Sequence, residues 1–140
     1  MRHANFRIQM SIAVLCGILF VAQAAFSVEK VVPGDVYRIL LKKTGTKAKG
    51  EQIVLQIRPK GGVHCNLEYP WKVTLKTPTS MSEHVQTVWK QENTAVFTNE
   101  LVQFDIAVPS AFYGTKVTFE IKMSMCDDKQ CYMKKAVVDI

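Results

Sequence analysis

From Thr115 to Ile140, apolar and polar residues alternate on both sides of a short polar interruption, and no other feature of the chain restricts its fold as much. Val117, Phe119 and Ile121 alternate with Thr118, Glu120 and Lys122. Cys126-Asp-Asp-Lys-Gln-Cys131 follows, and then Ala136, Val138 and Ile140 alternate with Lys135, Val137 and Asp139. Two runs of period two separated by a turn predict a β-hairpin. Setting Cys126 opposite Cys131 brings Ile121 against Ala136, Phe119 against Val138 and Val117 against Ile140, so the apolar residues of both strands share one face. A slip of one residue would destroy that agreement, so the pattern selects the register. Both cysteines then lie side by side on the face opposite the apolar one.

The N-terminus bears on the redox chemistry of that pair. Arg2, His3 and Arg7 precede a largely apolar run from Ile12 to Val21, and Ala22-Gln23-Ala24 supplies small residues for a cleavage site. This is the pattern of a secretory signal peptide. The apolar run is shorter than the ~20 residues of a spanning helix, and the bulky Leu15 before Cys16 argues against lipidation. Residues 1–24 are therefore expected to be a signal peptide and residues 25–140 one exported domain, with no stable membrane span after cleavage. The expected location is periplasmic or secreted. Cleavage removes Arg2 and Arg7 and leaves a modest positive charge, grouped mainly at Lys42, Lys43, Lys47 and Lys49. No aromatic residues interleave with these lysines to stack on bases, so no nucleic-acid partner is expected. Of the four cysteines, three remain after Cys16 is lost, in a compartment where disulfides persist. Cys126 and Cys131 are the natural pair, which leaves Cys65 free.

The rest of the chain reads as short strands. Ser27 to Val32 ends at the Pro33-Gly34 turn signal. Val36 to Lys43 sets Tyr37, Ile39 and Leu41 on one face, and an exposed loop is expected from Thr44 to Gly50. Ile53, Leu55 and Ile57 form the next face, closed by Pro59. Lys60-Gly-Gly-Val-His-Cys-Asn66 fits either a bent strand or a bulged loop. In Tyr69 to Thr77, Trp71, Val73 and Leu75 face one way. Pro78 to Glu83 is a polar connection, and Val85 to Lys90 and Thr94 to Thr98 are two short strands around Gln91-Glu92-Asn93. Val102, Phe104, Ile106 and Val108 complete the pattern. No mature segment sustains helical spacing, and β-branched and aromatic residues are frequent. The expected fold is all-β, an immunoglobulin-like β-sandwich of about seven to nine strands.

Three chemistries can be read at the cysteine hairpin. A disulfide between facing residues, whose Cα atoms would be about 5.5 Å apart, is geometrically reasonable. Closing so short a loop gives only about 2 kcal/mol. The redox reading rests on position: both cysteines fall on the polar parity of their strands beside a turn, where a partner thiolate can reach a sulfur. Lys122, Lys129, Lys134 and Lys135 are close enough in sequence to stabilise a thiolate, and Asp127 and Asp128 oppose them. Met123, Met125, Met133, His64 and Cys65 add soft ligands suited to Cu(I), but Met123 and Met125 share the parity of Phe119 and Ile121, so they are read as core packing. No metal or other cofactor is expected. Cys65 and His64 are adjacent in an extended segment, point to opposite faces and do not form a nucleophile–base pair. Cys65 is read as a buried free thiol, and Trp71 and Trp89 as core or rim residues.

The arrangement resembles the N-terminal (alpha) domain of the DsbD thiol:disulfide interchange proteins. Val117-Thr-Phe-Glu-Ile-Lys-Met-Ser-Met-Cys126 and Cys131-Tyr132 are similar to the cysteine hairpin that ends those domains, and Lys60-Gly-Gly-Val-His-Cys-Asn66 leading into Tyr69 is similar to the family's glycine-plus-aromatic strand. Met133-Lys134 follow Tyr132 where the family usually has prolines, and Trp89 to Glu100 lacks an obvious match to its cap loop. The resemblance implies a periplasmic immunoglobulin-like domain with Cys126 and Cys131 as its catalytic pair. The expected function is thiol:disulfide exchange with another exported or membrane thiol–disulfide protein. The alternative is a non-catalytic secreted interaction module with a structural hairpin disulfide.

Overall fold

The computed structural model describes residues 27–76 and 86–140. The expected signal peptide, residues 1–24, and the polar connection from Pro78 to Glu83 lie outside the described residues. Ten strands follow in chain order: β1 Val28–Pro33, β2 Tyr37–Thr46, β3 Gly50–Pro59, β4 His64–Cys65, β5 Lys72–Leu75, β6 Val88–Lys90, β7 Thr94–Phe97, β8 Val102–Ala107, β9 Thr118–Cys126 and β10 Cys131–Asp139. They form two antiparallel sheets, β1-β2-β3-β8-β7 and β10-β9-β5-β6, with β4 added beside the tip of β9. The fold is the expected all-β sandwich. The strand beyond the expected nine is β4, two residues long and too short to show a period.

Alternation sets which side chains enter the interior. Ile39 and Leu41 of β2, Ile53, Leu55 and Ile57 of β3, and Val102, Phe104 and Ile106 of β8 are buried from one sheet. Val73 and Leu75 of β5, with Trp71 just before it, Trp89 of β6, Phe119, Ile121, Met123 and Met125 of β9, and Ala136 and Val138 of β10 are buried from the other. Edge-to-face aromatic pairs add to this core: Trp71 with Phe97 and Trp89 with Phe119, each with ring centroids 6.3 Å apart. Both tryptophans and both of these methionines are therefore packing residues.

One local expectation changes. The loop expected from Thr44 to Gly50 is largely ladder, because β2 and β3 pair as far as Thr46 with Gly50 and only residues 47–49 turn. The two short strands expected around Gln91–Asn93 are present as β6 and β7, in different sheets. That segment is a 3-10 turn that carries the chain from β6 in one sheet to β7 in the other. The Lys90 amide donates to Asn93 Oδ1 at 2.9 Å, and Thr94 Oγ1 donates to the Gln91 carbonyl at 2.8 Å. Among the described residues no helix is long and apolar enough to cross a membrane.

Candidate functional site

The β9–β10 register is the one the hydrophobic pattern selects: Cys131 faces Cys126, Ala136 faces Ile121 and Val138 faces Phe119. Beyond the ladder, Val117 and Ile140 exchange both backbone hydrogen bonds, at 2.9 and 3.0 Å. Hydrogen-bonded and non-hydrogen-bonded pairs alternate in an antiparallel ladder, so counting in twos from Val117 leaves Cys126 and Cys131 at a non-hydrogen-bonded position. Their Cα atoms are therefore 4.0 Å apart, closer than the spacing expected for a hydrogen-bonded pair, and the two sulfurs are joined as a disulfide.

A compact turn holds the two cysteines in place. The Asp127 amide donates to the Gln130 carbonyl at 3.0 Å. Asp127 Oδ1 accepts from the Lys129 and Gln130 amides, each at 2.8 Å, and Oδ2 accepts from the Tyr132 hydroxyl at 2.7 Å. Gln130 Nε2 donates to that same hydroxyl at 2.9 Å. An aspartate that caps the turn ahead of it gives a tight hairpin without a glycine. These bonds hold the Asp127 carboxyl below its usual range, chiefly the one from Tyr132, then the two amides, with a smaller effect from the charge of His64.

The third strand of the site comes from a part of the chain far away in sequence. Gly61 and Gly62, with φ of 72° and 78°, turn the chain out of β3, and a side chain at either position would be strained by the backbone conformation alone. β4 then lies along the tip of β9, with His64 opposite Cys126 and Cys65 opposite Met125. Side chains directly opposite one another share a face. His64, Cys126 and Cys131 thus form one row across three strands on the outer face, while Cys65 points with Met125 into the core. The segment is anchored by backbone bonds from the Cys65 amide to the Asn99 carbonyl at 2.7 Å and from the Asn66 amide to the Ser124 carbonyl at 2.9 Å. Trp71 Nε1 donates to the Asn66 carbonyl at 2.7 Å.

A cleft of about 420 Å³ opens at this row, lined by His64, Asn66, Glu68, Asn99, Asp127 and both disulfide cysteines, with Cys65 beneath. The Asn66 side-chain amide donates to Ser124 Oγ at 3.4 Å and lies 3.8 Å from Cys131 Sγ, within reach of a weak N–H···S bond. Access to the two cysteines is unequal. Cys131 lies on the edge strand and is exposed, whereas Cys126, between β4 and β10, is 7 % exposed. The face expected for the pair is correct, but only one of the two residues is exposed.

The chain matches no protein-family model and no curated protein. The chemistry of the site is therefore read from its own residues.

Cys65 is the free, buried thiol that its position predicts, and burial pushes its pKa up to about 11. It is a poor nucleophile at neutral pH. Of the lysines considered from sequence as thiolate partners, Lys135 pairs with Glu120 at 3.1 Å, Lys134 pairs with Asp35, Lys129 lies in the turn between the cysteines, and none lines the cleft. Met133, 74 % exposed, stands beside Cys131 on the outer face, whereas Met123 and Met125 are in the core. Of the segment from Trp89 to Glu100, Trp89 is buried in the core and Asn99 reaches the rim of the cleft. Sequence reasoning missed Asn66 as a neighbour of the disulfide and grouped His64 with the cysteines only as a Cu(I) ligand. The Gly61-Gly62 break marks a change of direction but not its destination.

Proposed function

We propose that this domain exchanges disulfides with a partner protein through Cys126 and Cys131. The observation that carries this reading is the unequal exposure of the pair at the mouth of an open cleft: Cys131 is exposed on an edge strand and Cys126 is nearly covered. A partner thiolate attacks the accessible Cys131 sulfur, the mixed disulfide forms there, and Cys126 is the resolving thiol. Asn66, donating toward Cys131 Sγ, favours a negative charge on that sulfur. The turn is already held by Asp127 and Tyr132, so the covalent link adds little that the hairpin lacks. The resemblance of the hairpin to the DsbD alpha domain points the same way, and with the N-terminal pattern it argues for a periplasmic or secreted domain. The partner is another exported or membrane thiol–disulfide protein.

Equilibration with glutathione buffers tests the proposal. A reduction potential above about −300 mV is expected, and one below it, resistant to the glutathione pool, would establish the structural alternative. Cys126→Ser should trap a mixed disulfide at Cys131 in the native compartment, because the resolving thiol is gone. Cys131→Ser should trap far less.

A further inference from the structure

In the exchange just described, one sulfur must leave as a thiolate from a position 7 % exposed, where water gives it little help. Desolvation disfavours a thiolate unless a cation or a hydrogen-bond donor faces it. The cleft has no lysine or arginine lining, and Asn66 serves Cys131. The remaining candidate is His64, directly opposite Cys126 on β9 and lining the same cleft. From the juxtaposition of His64 and Cys126 across β4 and β9 we infer that His64 is the proton carrier of the exchange, stabilising the Cys126 thiolate and returning its proton.

The step balances as follows. The partner thiolate attacks Cys131 Sγ, a bond forms between those two sulfurs, and the Cys131–Cys126 bond breaks with its electron pair left on Cys126. His64 as imidazolium donates to that thiolate and passes its proton across, leaving a neutral imidazole and a Cys126 thiol. In the opposite direction neutral His64 takes the Cys126 proton. The thiolate so formed attacks Cys131 Sγ of the mixed disulfide and expels the partner's sulfur as a thiolate. The other ionisable groups lining the cleft are Glu68, Asp127 and the two reacting cysteines, with Cys65 on its core side. Asp127, fixed by Tyr132 and two amides, is the carboxylate whose ionisation feels the charge of His64.

The inference rests on the exchange reading for its purpose, but it can be tested without any partner. In a Cys131→Ser protein, the pH dependence of iodoacetamide alkylation at Cys126 reports its thiolate, since Cys65, raised to about 11, stays silent at neutral pH. Adding His64→Ala should slow alkylation at pH 7 by about tenfold and move the curve up by about one pH unit, with thermal unfolding unchanged. His64→Lys should restore the rate. In a Cys126→Ser background the same His64→Ala change should alter Cys131 alkylation by less than about threefold, because Cys131 is one strand, ~4.8 Å, farther away. A Cys126 rate that stays within about twofold after His64→Ala, or equal slowing at both cysteines, overturns the assignment. Slowed alkylation together with a disulfide that resists reduction by the glutathione pool would keep the role of His64 at the thiolate and reject only the exchange.

Discussion

Glu51 is 7 % exposed yet carries a carboxylate, of which one oxygen is hydrogen-bonded and the other, without a hydrogen bond of its own, is in an ion pair. Oε1 accepts from the Gly114 amide at 2.9 Å, and Oε2 lies 2.9 Å from the Lys43 ammonium, itself mostly covered. Lys43 also donates to the Thr115 carbonyl at 3.1 Å, so this small network ties the β2–β3 end of one sheet to the chain entering β9. A buried pair of this kind is weak support for stability in itself, but removing one member leaves the other without compensation. Glu51→Ala should therefore destabilise the domain by about 3 kcal/mol, the lower end of the range for broken buried pairs, because Lys43 can still extend toward water. Urea unfolding at neutral pH measures this. A loss indistinguishable from that of an exposed substitution would show that the network carries no load. Nothing in the sequence marks Glu51, since it precedes the apolar face of β3 and reads as an ordinary polar residue at a strand start.

At the scale of elements, the terminal hairpin is held by its ladder to β9, by β5 and β4 on the other side of β9, and by the core residues that both strands contribute. The disulfide closes a loop of five residues' separation, which the chain-entropy account values at about 2 kcal/mol. The Cys126→Ser/Cys131→Ser protein should stay folded, with a lower urea midpoint, an unchanged slope and a loss near that value. Unfolding of the reduced protein at room temperature would mean that the bridge is structural. Legibility in the sequence followed burial. β2, β3, β5, β8, β9 and β10 have one wet face and one dry one, so Ile39, Ile57, Val73, Phe104 and Phe119 declare themselves by alternation. β4 is two residues long, and β6 and β7 are three and four, so their sheet membership depends on contacts across the sandwich rather than on local pattern. The candidate site was half visible for the same reason. Cys126 and Cys131 are joined by a short turn whose register the strands dictate, whereas His64 reaches Cys126 through a pairing between residues far apart in the chain.

At the scale of the molecule, the two sheets are also linked along one side by charge. β1, at the edge of one sheet, sends Lys30 to Asp139 of β10, at the edge of the other, with 2.6 Å between ammonium and carboxylate. Asp35, in the β1–β2 turn, pairs with Lys134 of β10, and Lys116 adds a second contact to Asp139 at 2.7 Å. On the outer face of the second sheet, Glu120 is held between Lys76 at 2.8 Å and Lys135 at 3.1 Å. These lysine hydrogen bonds lower the pKa of Glu120 from 4.5 to about 2 and that of Asp139 from 3.8 to about 2, and Lys134 lowers that of Asp35. A carboxyl whose folded pKa lies below its unfolded value adds stability that is fully present above the unfolded value and disappears as pH falls through the folded one. The denaturant midpoint should therefore hold from neutrality to about pH 5 and then decline toward pH 2. Because the groups are solvent-accessible, added salt should screen the pairs, lowering the midpoint at neutral pH and flattening the acid decline. Asp139→Asn, which loses two lysine partners at once, should flatten the decline at low salt more than Asp105→Asn, whose carboxylate accepts from Gln103 at 2.8 Å. Equal profiles for the two variants would rule out the β1–β10 ion pairs as the source of the acid sensitivity.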